Sequence, residues 1–245
     1  MNIDKPVLDV QVNSRVFKLS GGKQLHAVDK LAFSLDTNSF TCIVGPSGCG
    51  KTTTLRMILG LDVDFEGTIV QPGRERVATV FQEPRLLPWR TVEQNIRLVL
   101  PASRIDESLD ALLQQLGLEE VRSLYPTQLS LGLARRAALA RAFILEPELL
   151  ILDEPFVSLD DATAERLRQL LLSLWKTHHT TALMVTHNIK EAAFLADRIL
   201  VFSARPGRIL NEIPLNTARE QRDRHFLESV ENQVAEIYHS QSSLE

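Results

Sequence analysis

The feature that most constrains this chain is a glycine-rich turn set between an apolar segment and a segment with helical spacing. Residues 45–52 read GPSGCGKT and match the pattern G-x-x-x-x-G-K-[ST]. Phe40–Val44 is nearly all apolar or β-branched, which is typical of a buried strand that enters a turn. Thr52–Leu61 then places apolar residues on one helical face. Strand, loop and helix together are the context that a phosphate-binding loop requires.

The chemistry of this loop predicts a nucleotide site. Glycines allow the backbone to turn tightly, so that several N–H groups point at one anion, and the helix N-terminus adds partial positive charge. Lys51 is expected to bind the β- and γ-phosphates, and the Thr52 hydroxyl to bind Mg²⁺. Alone, the motif does not separate kinases, GTPases, helicases and transporters. The predicted nucleotide contacts are Gly45, Pro46, Ser47, Gly48, Cys49, Gly50, Lys51, Thr52 and Thr53.

Two adjacent acids follow a second apolar strand. Leu149–Leu152 ends in Asp153 and Glu154, and carboxylates at the end of a buried strand are costly unless a cation meets them. We expect Asp153 to hold Mg²⁺, directly or through water. Glu154 is expected to act as the base that accepts a proton from the attacking water.

Two further strand ends carry polar residues. His187 follows the strand 183–186, and we expect it to hydrogen-bond the γ-phosphate, with a purely structural histidine as the alternative. Gln82 follows the strand 77–81 and is expected to reach Mg²⁺ and the attacking water. The pair His178-His179 is predicted to lie in an exposed loop.

The order of these patterns predicts one α/β core. Period-two alternation in residues 7–44 favours an antiparallel β layer, helical spacing dominates 91–145, and strand–helix alternation returns from 149. A helical insertion is therefore expected at roughly 88–147. A stripe of Leu, Val and Ile in residues 222–239 predicts a helix that packs on the core, with partner binding as the alternative.

Composition excludes some classes of function. The chain has 245 residues, a net charge of −4 and a pI near 5.9, so no broad nucleic-acid surface is expected. The pair Arg135-Arg136 is interpreted as a solvated helix face. Cys42 and Cys49 fit no zinc or disulfide spacing and predict reduced thiols in a cytosolic protein. No apolar run approaches the ~18 residues of a membrane span, and the N-terminus lacks a signal-peptide core.

Taken in order, these motifs resemble those of ATP-binding cassette (ABC) ATPases over nearly the whole chain. The order is the Walker A loop at 45–52, Gln82, a signature-like LSLGL at 129–133, the Walker B strand at 149–154, Asp160 in a D-loop-like segment, and His187. The resemblance implies a P-loop NTPase core of the ABC ATPase type, with an antiparallel β layer and a helical subdomain. The expected division is a core at 1–87 and 148–215, a helical signature subdomain at 88–147, and a C-terminal helix and tail at 216–245.

The resemblance also implies a head-to-tail dimer, with ATP held between Walker A of one copy and the signature of the other. Ser130, Gly132 and Asp160 would act in trans. The family signature is usually LSGGQ, so Leu131 and Leu133 are departures. We expect them to remove a ribose-side contact and the backbone freedom of glycine, which leaves a nucleotide-binding regulatory subunit with weak turnover as the alternative function.

A narrower resemblance concerns the transported solute. Segments 81–89, 191–198 and 205–209 are similar to those of importer ATPases in the taurine/sulfonate/nitrate group. This similarity implies a separate permease that docks near Gln82–Trp89, a periplasmic or lipoprotein solute-binding protein, and a position on the cytoplasmic face of the inner membrane. The appended regulatory domain of sugar-importer ATPases is expected to be absent.

Two interpretations remain open at the level of sequence. Phe17 is the best candidate for stacking on adenine, with a core phenylalanine as the alternative. A soluble ABC ATPase of translation or DNA repair is the third function considered. Such proteins usually carry two cassettes or a long coiled-coil insertion, and neither fits a chain of 245 residues.

Overall fold

The computed structural model describes residues 5–242, so the end of the predicted tail, residues 243–245, lies outside the described residues. The chain forms two compact units. The phosphate-loop unit comprises Met1–Pro72 and Thr181–Glu245, and the helical unit comprises Gly73–Thr180.

The described residues form nine strands and seven α-helices. The strands are β1 Leu8–Lys18, β2 Gln24–Leu35, β3 Phe40–Val44, β4 Glu66–Val70, β5 Val77–Val80, β6 Leu149–Asp153, β7 Thr181–Thr186, β8 Arg198–Phe202 and β9 Ile209–Pro214. The helices are α1 Lys51–Ile58, α2 Val92–Arg97, α3 Asp110–Leu116, α4 Leu131–Phe143, α5 Asp161–His178, α6 Ile189–Leu195 and α7 Arg224–Ser242.

The phosphate-loop unit contains a three-stranded antiparallel sheet in the order β2-β1-β4. Leu8, Val10 and Val12 of β1 are buried, whereas Gln11 is exposed. Because successive side chains point to opposite faces of a strand, this alternation buries one face of the sheet. The predicted antiparallel layer is confirmed.

A mixed sheet forms the centre of the same unit. β7, β3 and β8 run parallel, and β9 pairs antiparallel with β8. All five residues of β3 are buried, as expected for a strand with parallel neighbours on both sides. The register pairs Val44 with Thr186. The loops that follow β3 and β7 therefore leave the sheet at the same edge.

The C-terminal helix α7 packs on α6 of the same unit. Val230 and Val234 are buried, which agrees with core packing of the apolar stripe. Lys190 pairs with Glu231, 3.3 Å apart, and the Tyr238 hydroxyl donates to the Phe202 carbonyl at 3.1 Å. Burial is the main cause that raises the pKa of Tyr238, to about 12.

The helical unit combines the parallel strand pair β5-β6 with α2, α3, α4 and α5. Its core includes Leu113, Leu116, Phe143 and Leu171, each fully buried. No helix among residues 5–242 is long and apolar enough to cross a membrane.

Two expectations about basic residues in this unit are wrong. Arg135 is not on a solvated helix face, because it is 4% exposed within α4. Of the pair His178-His179, His179 is exposed after the helix, as expected, but His178 is not in an exposed loop. It is the last residue of α5, and its ring centroid lies 5.4 Å from that of Phe143. Burial there lowers the pKa of His178.

Candidate nucleotide-binding site

The phosphate loop is shaped by two glycines in left-handed backbone conformations. Gly48 has φ +77° and Gly50 φ +114°, which side-chain-bearing residues rarely adopt. A Cβ atom at Gly50 would also lie 2.7 Å from the Ala27 carbonyl oxygen. Both positions therefore require glycine, and Gly50 is the N-cap residue of α1.

Lys51 begins α1 and reaches back into the loop. Its ammonium group donates to the carbonyls of Gly45 at 2.7 Å and Pro46 at 3.1 Å, and the residue is 6% exposed. The following residue of the helix, Thr52, is exposed. The loop thus combines a lysine charge with a helix N-terminus, which suits a phosphate.

His187 lies beside this loop. With Val44, Gly45, Pro46, Ile189 and Tyr238 it lines a cavity of about 220 Å³. The common edge of β3 and β7 accounts for this proximity.

The residues next to His187 hold its backbone in place. The Thr186 hydroxyl donates to the Glu191 carboxylate at 2.9 Å and accepts the Asn188 N–H at 3.0 Å. The Asn188 side chain caps α6 by accepting the Glu191 N–H at 3.2 Å. The turn that carries His187 is therefore defined by side-chain hydrogen bonds.

Phe17 lies on β1 opposite Leu25, and its ring is half-buried. The Arg15 guanidinium carbon lies 4.0 Å from the ring centroid, within the range of a cation–π contact. Arg15 is itself held by Asp62 and Asp64, each at 2.9 Å.

The acidic pair lies in the helical unit, where the strand β6 ends. Asp153 is its last residue, Glu154 follows with φ +44°, and both are half-buried. A left-handed conformation in a residue other than glycine is sparsely populated and marks a constrained position. Gln82 is exposed just after β5.

The signature segment forms the start of α4. Ser130 is the N-cap, and its hydroxyl accepts the Leu133 N–H at 3.3 Å. Leu131 is the first helical residue and is 41% exposed. Leu131 adopts a helical conformation here, which does not require the positive φ that glycine tolerates.

The structure brings Ser130, Gly132 and Asp160 together within the helical unit. A Cβ atom at Gly132 would lie 2.9 Å from the Thr163 methyl carbon. Asp160 caps α5 by accepting the Thr163 N–H at 3.0 Å, and hydrogen bonding from Thr163 lowers the pKa of Asp160. The N-termini of α4 and α5 are thus adjacent.

Arg135 and Asn95 are structural supports that the sequence interpretation missed. Arg135 donates to the carbonyls of Pro155 and Val157, each at 2.6 Å, and so ties α4 to the segment after the acidic pair. Asn95 is fully buried in α2 and organises the loop before it. Their burial had no signal in the sequence, because each neighbours other polar residues.

Comparison with known proteins identifies the class. Residues 28–157 match the model of the ABC transporter family, and the chain belongs to that family. In structure, the chain is similar to the dimeric ATP-binding cassette MJ0796 in a post-hydrolysis state bound to ADP and Pi. The TM-score is 0.75 at 26% identity, covering 86% of this chain and 100% of that one. The predicted fold class is confirmed.

The chain is, more closely, similar to importer ATP-binding proteins. It is 42% identical over 218 residues to the aliphatic sulfonates import ATP-binding protein SsuB 2 of Pseudomonas syringae pv. tomato, covering 88% of this chain and 91% of that protein. It is 37% identical over 217 residues to the aliphatic sulfonates import ATP-binding protein SsuB of Bacillus subtilis, covering 85% of each. The resemblance to the sulfonate-importer group is confirmed, and the chain is an ATP-binding subunit of an ABC transporter.

Proposed function

We propose that this chain hydrolyses ATP to drive import of a small sulfonate-type anion through a separate permease. The observation that carries the proposal is the shared cavity of the phosphate loop and His187. The names of the relatives from P. syringae and B. subtilis support the direction of transport and the solute class.

In the proposed mechanism, the phosphate loop and Lys51 bind the β- and γ-phosphates of ATP. Their role is positioning and electrostatic stabilisation, which dominate phosphoryl transfer. His187 donates a hydrogen bond to the γ-phosphate. Phe17 offers its half-buried ring to the adenine.

Glu154 accepts a proton from the attacking water, and its constrained backbone limits where the carboxylate points. Thr52, Gln82 and Asp153 would hold Mg²⁺, and their side-chain oxygens are the hard donors that this ion prefers. When bound, the ion neutralises charge on the phosphates.

Two copies would close head to tail on two ATP molecules. Ser130, Gly132 and Asp160 of each copy would contact the nucleotide held by the other, and the adjacency of the α4 and α5 N-termini supports their acting as one surface. Closure is then a two-state change that ATP favours, since ATP contacts both copies only in the closed state.

The partners follow from the same proposal. A membrane permease would dock near Gln82–Trp89, where Trp89 is 69% exposed. A periplasmic or lipoprotein solute-binding protein would deliver the anion, and the chain would lie on the cytoplasmic face of the inner membrane. No nucleic acid partner is proposed.

The test is the variant Glu154→Gln, with Glu236→Gln as a matched control on the exposed face of α7. Glu154→Gln should form a stable dimer in Mg·ATP by light scattering and lose hydrolysis, whereas Glu236→Gln should behave as the wild type. A Glu154→Gln protein that stays monomeric in ATP and keeps hydrolysing would refute the role of Glu154. Co-purified permease in lipid should then show ATPase activity stimulated by a sulfonate delivered on its binding protein.

A further inference from the structure

The turn between β8 and β9 packs against the back of the phosphate loop. We call residues 203–208 the β8–β9 turn. A Cβ atom at Gly207 of this turn would lie 2.5 Å from the Cys49 carbonyl oxygen. The two backbones are therefore in direct contact, and Gly207 is buried there.

The turn is itself held rigidly. The Gly207 N–H donates to the Ala27 carbonyl at 2.9 Å, and the Gly207 carbonyl accepts the Asp29 N–H at 3.1 Å. The Ser203 hydroxyl oxygen accepts the Arg208 N–H at 3.0 Å. These bonds join the turn to β2 and link its two ends. The backbone from which its side chains project is therefore held in place.

Arg205 projects from this base onto the phosphate loop. Its Nε and Nη2 atoms both donate to the Gly48 carbonyl oxygen, at 3.0 Å and 2.9 Å. Hydrogen bonds from an ionised donor are stronger than neutral ones. Gly48 is exposed and has the left-handed conformation, and glycine is the residue with the greatest backbone freedom.

Holding this carbonyl also fixes the N–H on the other side of the peptide. In a trans peptide the C=O and the following N–H point in opposite directions. With the Gly48 carbonyl bound by Arg205, the Cys49 N–H points across the loop and donates to the Pro46 carbonyl oxygen at 3.3 Å. Lys51 donates to that same oxygen, so the Cys49 N–H faces the interior of the loop.

We propose that Arg205 is a positioning residue for nucleotide binding, which keeps the phosphate loop in the shape that presents its N–H groups to the phosphates of ATP. The proposal rests on the proposed function, in that the loop must bind ATP. Arg205 contacts the loop from behind and does not take part in the chemistry.

The experiment compares Arg205→Met with Arg208→Met in the full chain. Both variants keep the side-chain stem and remove one positive charge from the same turn. Arg208 pairs with Asp29 at 2.7 Å and donates nothing to the phosphate loop from its side chain, so it is the matched control. The dissociation constants and stoichiometry of a fluorescent ATP analogue and of the corresponding ADP analogue are measured by titration.

Arg205→Met should weaken both nucleotides about 5- to 10-fold at unchanged stoichiometry, as expected for loss of charge-assisted hydrogen bonds, while Arg208→Met stays within about 2-fold of the wild type. In steady-state hydrolysis the KM for ATP should rise with kcat at saturation nearly unchanged, the pattern of lost uniform binding. A general folding defect would instead lower the stoichiometry and the unfolding temperature without nucleotide.

Wild-type affinity in Arg205→Met would overturn the proposal, and so would equal losses in the two variants, because these would report net charge alone. If Arg205→Met does not fold, the same titrations are made with Arg205→Gln, provided that it binds nucleotide at full stoichiometry. Wild-type affinity in that variant would likewise overturn the proposal. Failure of the wild type to bind ATP would instead refute the proposed function.

Discussion

Asn95 provides the sharpest test of how the loop before α2 is held. Its Oδ1 accepts the Leu87 N–H at 2.7 Å, and its Nδ2 donates to the carbonyls of Leu87, Arg90 and Thr91 at 3.2, 3.0 and 2.9 Å. The residue is fully buried, so water cannot replace these bonds when the side chain is removed. One side chain therefore fixes both ends of the loop 87–91.

The expected cost of Asn95→Ala follows from this inventory. The amide nitrogen has two hydrogens, so Nδ2 shares them among three carbonyls, and the side chain makes about three full hydrogen bonds. At ~1 kcal/mol each, these suggest a loss of about 3 kcal/mol. Two of the carbonyls keep a hydrogen-bond donor when the side chain is removed, which reduces the loss. The Leu87 carbonyl also accepts the Arg90 N–H, and the Thr91 carbonyl also accepts the backbone N–H of residue 95. Alanine also gains up to ~0.7 kcal/mol of helix propensity over asparagine. We expect the free energy of unfolding to fall by about 2–3 kcal/mol.

Urea unfolding followed by circular dichroism measures this loss. Gln114→Ala, which removes an exposed amide from α3, is the control and should stay within ~0.5 kcal/mol of the wild type. Asn95→Asp should be worse than Asn95→Ala, because a carboxylate oxygen would replace the amide N–H groups among three carbonyls. An Asn95→Ala protein as stable as the control would show that the loop is held by something else.

Two further predictions concern the same helical unit. Gly132→Ala should destabilise the chain by about 1–2 kcal/mol, because the new methyl group overlaps the Thr163 methyl group. Adding Thr163→Ser removes that methyl group and should recover most of the loss, as measured by thermal unfolding. A double variant with no recovery would refute the overlap. Burial alone would raise the pKa of Glu93, but hydrogen bonds from Arg97 and Arg122 outweigh this effect and lower the pKa from 4.5. The ionised carboxylate therefore stabilises the folded state above pH 4.5. Glu93→Gln should therefore lose ~1 kcal/mol at pH 7, with the difference shrinking as the pH falls below 4.5, and a difference independent of pH would contradict the ion pairs.

The strands and the phosphate loop could be predicted from sequence because their signals are local. The apolar run Phe40–Val44 and the glycines after it determine a buried strand and a turn without reference to other segments. The acidic pair after Leu149–Leu152 was found in the same way. These predictions needed only residues that are neighbours in the chain.

Contacts between distant segments could not be predicted in this way. The hydrogen bonds of Arg135 join residues about 20 positions apart, and those of Arg205 join residues 157 apart. In α4 the neighbouring Arg136 is only half-buried whereas Arg135 is buried, so the pair looks like an exposed charge cluster in sequence. The start of α4 at Leu131 was not predicted for a related reason, because it depends on the cap at Ser130.

That cap has a consequence for which side chains position 130 tolerates. A hydroxyl oxygen that accepts one N–H still has its own hydrogen to donate, so Ser130 can close the helix and bind a phosphate oxygen at once. Aspartate would close the helix equally well but would place a negative charge where the proposed phosphate binds. Ser130→Asp should thus leave the protomer folded and abolish its pairing on ATP, which makes it a clean separation of a helix-capping role from a phosphate-binding one.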